Sequence, residues 1–299
     1  MNRKIAIIAL PLGLFLPHTA APDPAPVEKI GVVATILPYA YFAERVGGEA
    51  VEVSVMVPPG ANPHSYEPAP RQLDALGRAR LYVKAGTGIE FELAWMDKLT
   101  ALNRTMRVCD ASRGIAPLGV EGECGHAEER GRAHGAVRGR DPHVWLSPAN
   151  AAVIAENIRA ALAEIDPARA EAYAANARAL RAELDRLDGE VAAALLPARG
   201  KTFFVFHPAW SYFAARYGLV QAPIEAGGKE PGARGFAASV KRARELGANA
   251  VFASPESSRR GAEVVAREIG GRVIVIDPLA RNYPENLRRV AAALAEEAR

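Results

Sequence analysis

Residues 168–196 constrain the fold of this chain more than any other stretch. They are rich in alanine, carry one charged face, and set Leu180, Leu184, Leu187 and Val191 at helical spacing, which predicts a helix with one buried stripe. Asp166 is a suitable N-cap and Pro167 a suitable first-turn residue, so a helix start is predicted there. The run of about 29 residues makes roughly 43 Å of helix at 1.5 Å per residue. Few small single domains need a helix that long. A rigid connector between two lobes does.

Both flanks fit that reading. Upstream, residues 29–35, 51–57, 81–85 and 106–109 read as strands, and 39–46, 71–79, 90–102 and 148–165 as helices. Downstream, strands are predicted over 202–206, 220–224, 250–253 and 272–276, with helices over 209–217, 236–246, 259–269 and from about Tyr283 onward. Such βα alternation predicts parallel, layered sheets. The expected fold is α/β, with two βα-sandwich lobes of mainly parallel sheets bridged by one long rigid helix. The expected boundaries are a signal over 1–21, lobes over 27–165 and 200–299, and a connector over 166–197. With 299 residues, about half of them apolar, the chain can bury both cores.

Arg3-Lys4, an apolar run over 5–16 and the small residues Ala20-Ala21 read as a cleavable export signal. The run is too short to span a bilayer comfortably, and no later segment is long and apolar enough to do so. The first cysteine is Cys109, so no lipid anchor is expected near the cut. The formal charge is +3, and loss of Arg3 and Lys4 leaves +1. That balance excludes a nucleic-acid binder that works by phosphate neutralisation. A soluble, exported monomer is expected.

Four positions share one character. His64 follows Asn62-Pro63 in a rigid loop after strand 51–57. His143 lies in Asp141-Pro142-His143-Val144-Trp145-Leu146-Ser147-Pro148, stiffened by two prolines. His207-Pro208 directly follows Phe203-Phe204-Val205-Phe206, and Asp277-Pro278 directly follows Val273-Ile274-Val275-Ile276. Ligands of open α/β sheets bind beyond the carboxyl ends of the strands. Three imidazoles and one carboxylate gathered there make a closed, four-donor site suited to zinc. A lone histidine beside a proline is more often a hydrogen-bonded structural residue. Four donors at corresponding positions, two on each side of the connector, are harder to read that way. Asp277 as N-cap of the last helix lies too far from Tyr283. Glu67, Glu225, Glu230 and Glu256 also fall near strand ends and are candidate acceptors for the second N–H of a ligating imidazole.

An exported zinc hydrolase is the rival from another class, with Glu67 or Glu225 as base. It needs an open coordination position. Neither a His-Glu-x-x-His helix nor a Gly-x-Ser-x-Gly elbow occurs in the sequence. Residues 111–140 lack periodicity and read as a long loop. Within it, His126 and His134 are either auxiliary metal contacts or ordinary exposed polar residues. Cys109 and Cys124 are read as a disulfide, stabilising by roughly 3 kcal/mol on the chain-entropy account, in preference to a thiolate site with His126.

Pro59-Gly60-Ala61-Asn62-Pro63-His64-Ser65-Tyr66-Glu67-Pro68, the Asp141–Pro148 stretch and Asp277-Pro278-Leu279 together resemble the zinc- and manganese-binding receptor proteins of bacterial ABC importers, the cluster A-I solute-binding proteins. The likeness covers essentially the whole mature chain. It implies two α/β lobes on one long helix, metal at their interface, and His64, His143, His207 and Asp277 as ligands. It also implies a membrane permease as partner, with a periplasmic metallochaperone as a further candidate. Manganese receptors of this kind usually carry glutamate as third ligand, and zinc receptors histidine. His207 therefore implies Zn²⁺ over Mn²⁺, with a manganese or iron(II) receptor as the alternative. Zinc receptors often have a His-rich loop where 111–140 lies, and here it holds only His126 and His134.

Overall fold

The structure, a computed structural model, describes residues 28–119, 140–225 and 232–298. Strands β1 (Ile30–Ala34), β2 (Val51–Val55), β3 (Leu81–Lys84) and β4 (Arg107–Asp110) form a parallel sheet in the order β2-β1-β3-β4. Strands β5 (Thr202–Val205), β6 (Val220–Pro223), β7 (Ala250–Ala253) and β8 (Arg272–Val275) repeat the plan as β6-β5-β7-β8, again parallel. The central strands are apolar almost throughout, as sheets covered on both faces require; all four residues of β7 are buried. Each strand order reverses beside its first strand, so each lobe offers a crevice at its carboxyl edge.

Helices α1 (Leu37–Gly47), α2 (Pro70–Arg78), α3 (Glu90–Leu102) and α4 (Pro148–Ile165) complete the first lobe. The connector α5 (Ala170–Leu195) follows, and α6 (Ser211–Tyr217), α7 (Ala233–Glu245), α8 (Arg259–Glu268) and α9 (Tyr283–Glu297) complete the second. Helix α1 starts ahead of the expected 39 because Pro38 fits its first turn. Among the described residues, no helix is long and apolar enough to cross a membrane.

The connector has 26 residues and buries Tyr173, Ala177, Leu180, Leu184, Leu187, Val191 and Leu195 along one stripe. That stripe packs on α1 and α4 of the first lobe and on α9 of the second. Its start departs from the expectation. The Asp166 side chain does not cap the helix; its Oδ2 accepts from the Tyr173 hydroxyl at 2.6 Å and from Arg169 Nη1 at 2.8 Å. With the carboxylate taken by two side-chain donors, Pro167–Arg169 forms a 3₁₀ turn before α5 begins.

The lobes share one hydrophobic core. Tyr39 and Phe42 of α1, Trp145 after the 111–140 segment and Tyr283 of α9 meet edge to face, with ring centroids 5.0–6.3 Å apart. Hydrogen bonds lock the same junction. Trp145 Nε1 donates to the Pro278 carbonyl and the Tyr283 hydroxyl to the Trp145 carbonyl, both at 2.7 Å. An ion pair between Arg281 and Glu44 crosses at the surface.

A buried carboxylate fixes the carboxyl edge of the first sheet. Glu92, 6% exposed, accepts from the Thr35 hydroxyl and the Ala85 amide at 2.6 Å through Oε1, and from the Gly86 amide at 2.9 Å through Oε2. It ties the ends of β1 and β3 to the first turn of α3.

Candidate metal centre

His64 and His207 lie past the ends of β2 and β5, and His143 lies just ahead of a short 3₁₀ turn. After β2 the chain continues in register through Met56 and Val57, whose amides donate to Ala34 and Thr35, and then turns into the proline-rich loop. There the Asn62 side chain accepts from the His64 amide at 2.9 Å. The Phe91 amide donates to the Pro63 carbonyl at 3.1 Å, holding the loop against α3. His143 precedes a 3₁₀ turn, Val144–Leu146. His207 follows β5 by one residue past Phe206, whose amide donates to Phe252 across the sheet.

The three imidazoles converge between the lobes. One ring nitrogen of each lies within 4.8 Å of those of the other two, and the His207 ring centroid is 5.0 Å from that of His64 and 5.3 Å from that of His143. A different carboxylate holds the Nδ1 of each. His64 Nδ1 bonds Glu90 Oε2 at 2.6 Å, His143 Nδ1 bonds Asp141 Oδ1 at 2.8 Å, and His207 Nδ1 bonds Glu225 Oε2 at 2.8 Å. An ionised carboxylate fixes the proton on Nδ1 and leaves the Nε2 lone pair outward, which is how ligating imidazoles are oriented. His207 Nε2 is buried with no hydrogen-bond partner among the described residues. A metal ion is the partner that such an outward Nε2 lone pair suits.

Electrostatics suit the same chemistry. Burial holds His207 below the ordinary imidazole range, against the opposing hydrogen bond it donates to Glu225, so the ring stays neutral and able to ligate. Burial pushes Asp141 and Glu90 upward, but the hydrogen bonds to His143 and His64, and the pull of those rings when protonated, outweigh it and leave both below the usual carboxylate range.

Of the expected imidazole partners, Glu225 is in place. Glu67 is exposed and makes no bond to a histidine. Glu90 and Asp141 fill the other two places. Asp141 stands two residues before His143, a spacing at which its Oδ1 also accepts from the His143 amide at 2.8 Å, so a local signal existed. Glu90 lies 26 residues from His64, and only the β3–α3 loop brings it there.

Asp277 lies beyond β8 but outside the histidine cluster. Its Oδ1 accepts from the Leu279 amide at 2.7 Å, its carbonyl accepts from Asn286 Nδ2 at 2.6 Å, and burial raises its carboxyl. It lines a cavity of about 290 Å³ that adjoins the histidine cavity of about 270 Å³, and Glu256 and Leu279 line both. Cys109 is buried and forms no disulfide among the described residues; burial pushes its thiol up to about 12, and its Sγ contacts the Asn157 carbonyl at 3.5 Å. A thiol so protonated is a poor metal ligand at neutral pH. The expected signal, Cys124, His126, His134 and Glu230 lie outside the described residues.

Two parallel-sheet lobes on one long helix, with convergent imidazoles between them, define a metal-binding receptor of the solute-binding class. The chain matches the family described as zinc-uptake complex component A, periplasmic, over residues 32–297, and it belongs to that family. It is 30% identical to the high-affinity zinc uptake system protein ZnuA of Bacillus subtilis over 84% of this chain and 79% of that one. It is 29% identical to the zinc-binding protein AdcA of Streptococcus pyogenes serotype M3 over 93% of this chain but only 56% of that one, so it spans about half the length of such relatives. A crystal structure of ZnuA superposes with a TM-score of 0.83 at 40% identity, covering 91% of this chain and all of that one. A zinc-bound deletion mutant of ZnuA gives 0.82 at 40% identity, over 90% of this chain and 98% of that one. By its description the family is one of zinc-uptake components.

Proposed function

We propose that the protein is a periplasmic receptor that captures Zn²⁺ through His64, His143 and His207 and delivers it to the membrane permease of an ABC importer. The convergence of three carboxylate-held imidazoles carries this reading, together with the buried, unpartnered Nε2 of His207. Imidazole donors suit zinc, whereas manganese favours oxygen ligands. Zinc takes four donors. For the fourth, the sequence offers Asp277 and the cavity wall offers Glu256. The working boundaries are lobes over 27–165 and 200–299 joined by 166–197. The receptor acts as a monomer, and a metallochaperone is a further candidate partner.

Competitive titration of the apo protein with Zn²⁺ and Mn²⁺ tests the assignment. One tight zinc equivalent with weak manganese is expected. Tight manganese with weak zinc overturns the metal and keeps the transport role.

The affinity is also expected to depend on pH. Zinc binds neutral imidazole, so protons compete as pH falls through the ordinary range near 6.5. His207, held low by burial, joins that loss at lower pH than an ordinary histidine. Affinity at pH 5 is expected to be at least about tenfold weaker than at pH 7.5. Isothermal competition at the two pH values checks this, and equal affinities contradict imidazole ligation.

A further inference from the structure

We propose that the outer face of the second lobe, built by α7 and α8, rests on an anionic phospholipid surface. Helices α2 and α3 follow β2 and β3 of the first lobe just as α7 and α8 follow β6 and β7 of the second. The two pairs hold the same place in the fold and differ in charge. Helices α2 and α3 carry three cations against four carboxylates, a net of −1. Helices α7 and α8 carry seven cations against Glu245, Glu263 and Glu268, a net of +4. The bias extends to the whole halves, with 15 Lys and Arg against 17 Asp and Glu over 27–165, and 15 against 10 over 200–299. Charge asymmetry between halves that balance overall points to a polyanionic surface as partner of one half.

A charge run is ordinarily a solvated face whose signs cancel. Here they do not. Each carboxylate of the two helices is already taken: Glu245 by Lys241 at 3.8 Å, Glu268 by Arg244 at 3.3 Å and Glu263 by Arg259 at 2.9 Å. Arg234, Arg242, Arg260 and Arg267 are left exposed, with no carboxylate partner among the described residues. Arg260 and Arg267 stand two turns apart on one side of α8, opposite the buried Ala262 and Val265. Arg234 stands opposite the buried Ala243 of α7. The helices pack on one another, and Arg244 Nε donates to the Glu268 carbonyl at 3.0 Å, so the two rows of cations form one face. Protein interfaces rely on aromatic anchors. The single aromatic residue of these helices, Phe236, is half-buried against the core beneath. Long cations spread over two helices, without an anchor, suit fluid phosphate headgroups. Both helices begin beyond the carboxyl ends of their strands, the edge that carries His207, and Ser258 just ahead of α8 lines the histidine cavity. A lipid surface under this face therefore lies beside the metal centre.

The test is flotation of the full chain, without zinc, on vesicles of equal parts phosphatidylglycerol and phosphatidylcholine, and on phosphatidylcholine alone. Preference for the anionic vesicles is expected in about 0.1 M salt and its loss in about 1 M, where the screening length falls from about 10 Å to about 3 Å. Each cation near such a surface is worth about fivefold in partitioning. Changing Arg234, Arg242, Arg260 and Arg267 together to Gln is therefore expected to weaken anionic binding at least about 100-fold. Changing the exposed Arg71, Arg78, Lys98 and Arg104 of the first lobe to Gln alters the net charge equally and is expected to leave binding within about threefold. Absence of any anionic preference, the result that a face built for an acidic protein gives, overturns the proposal. So does an equal loss in both variants, which marks bulk charge, or wild-type binding in the first, which marks the basic N-terminal residues as the source. If the fourfold variant folds poorly, Arg260→Gln with Arg267→Gln replaces it; about 25-fold weaker binding is expected, and wild-type binding overturns the assignment. None of the substituted residues lines either cavity, so failure of the zinc assignment leaves these results unchanged.

Discussion

Replacing His143 with alanine is expected to weaken zinc binding at least about 100-fold, because a structural zinc site is worth about 10–16 kcal/mol over four donors, or roughly 3 kcal/mol for each. His143 is the most telling of the three. It is only 7% exposed, Asp141 holds both its amide and its Nδ1, and its ring packs 5.2 Å from that of Trp145. No neighbouring donor can move into so enclosed a place. Asp141→Asn is expected to cost less, about 10- to 100-fold, since it disturbs the orientation of the ring and leaves the ligand. Competitive titration of both variants, with unfolding midpoints to confirm that each is folded, reads the difference. A His143→Ala protein with wild-type affinity removes the site from consideration.

The second large effect concerns stability. Glu92→Ala strips acceptors from the Ala85 and Gly86 amides and the Thr35 hydroxyl, at a position closed to water. Each buried donor left without a partner costs about 1–3 kcal/mol. Loss of a carboxylate that is itself costly to bury offsets part of the sum, and burial does hold the Glu92 carboxyl above its usual range. A net destabilisation of about 3 kcal/mol is expected for Glu92→Ala, from the same unsatisfied donors. Glu92→Gln keeps an acceptor oxygen and is expected to cost about 1 kcal/mol. Urea unfolding of the three proteins measures both. A Glu92→Ala protein as stable as the wild type shows that water or a shift of the β3–α3 loop satisfies those donors.

The lobes, their parallel sheets and the connector were legible because βα alternation and a leucine stripe at helical spacing are local patterns. The convergence of the three histidines was foreshadowed for a related reason: prolines beside them stiffen the backbone, next to strand ends for His64 and His207 and within the Asp141–Pro148 stretch for His143. What failed to show depended on side chains meeting across distance. Glu67 lies close to His64 in sequence yet points to solvent, while Glu90, 26 positions away, makes the bond. Asp166 is a good cap by residue type, but Arg169 and Tyr173, about one and two helical turns on, claim its carboxylate first. Asp277 ends its strand as expected, but its side chain bends back onto the Leu279 amide and the adjoining cavity. The junction of Tyr39, Phe42, Trp145 and Tyr283 was invisible for the same cause: each reads as a residue of its own element until the elements are packed.

That junction makes cargo and folding answer to one another. Two lobes with separate cores melt separately, and an ion between them steadies little beyond its own loops. Here the main core runs through both, with two smaller clusters confined to the second lobe, so the chain is expected to melt as one unit. An ion bound only by the folded form then stabilises the whole molecule, by about 2.7 kcal/mol when its free concentration is a hundred times its dissociation constant. The metal-loaded form is then expected to be the more durable against proteases, which act on whatever loosens. Filling the site is thus expected to extend the protein's lifetime.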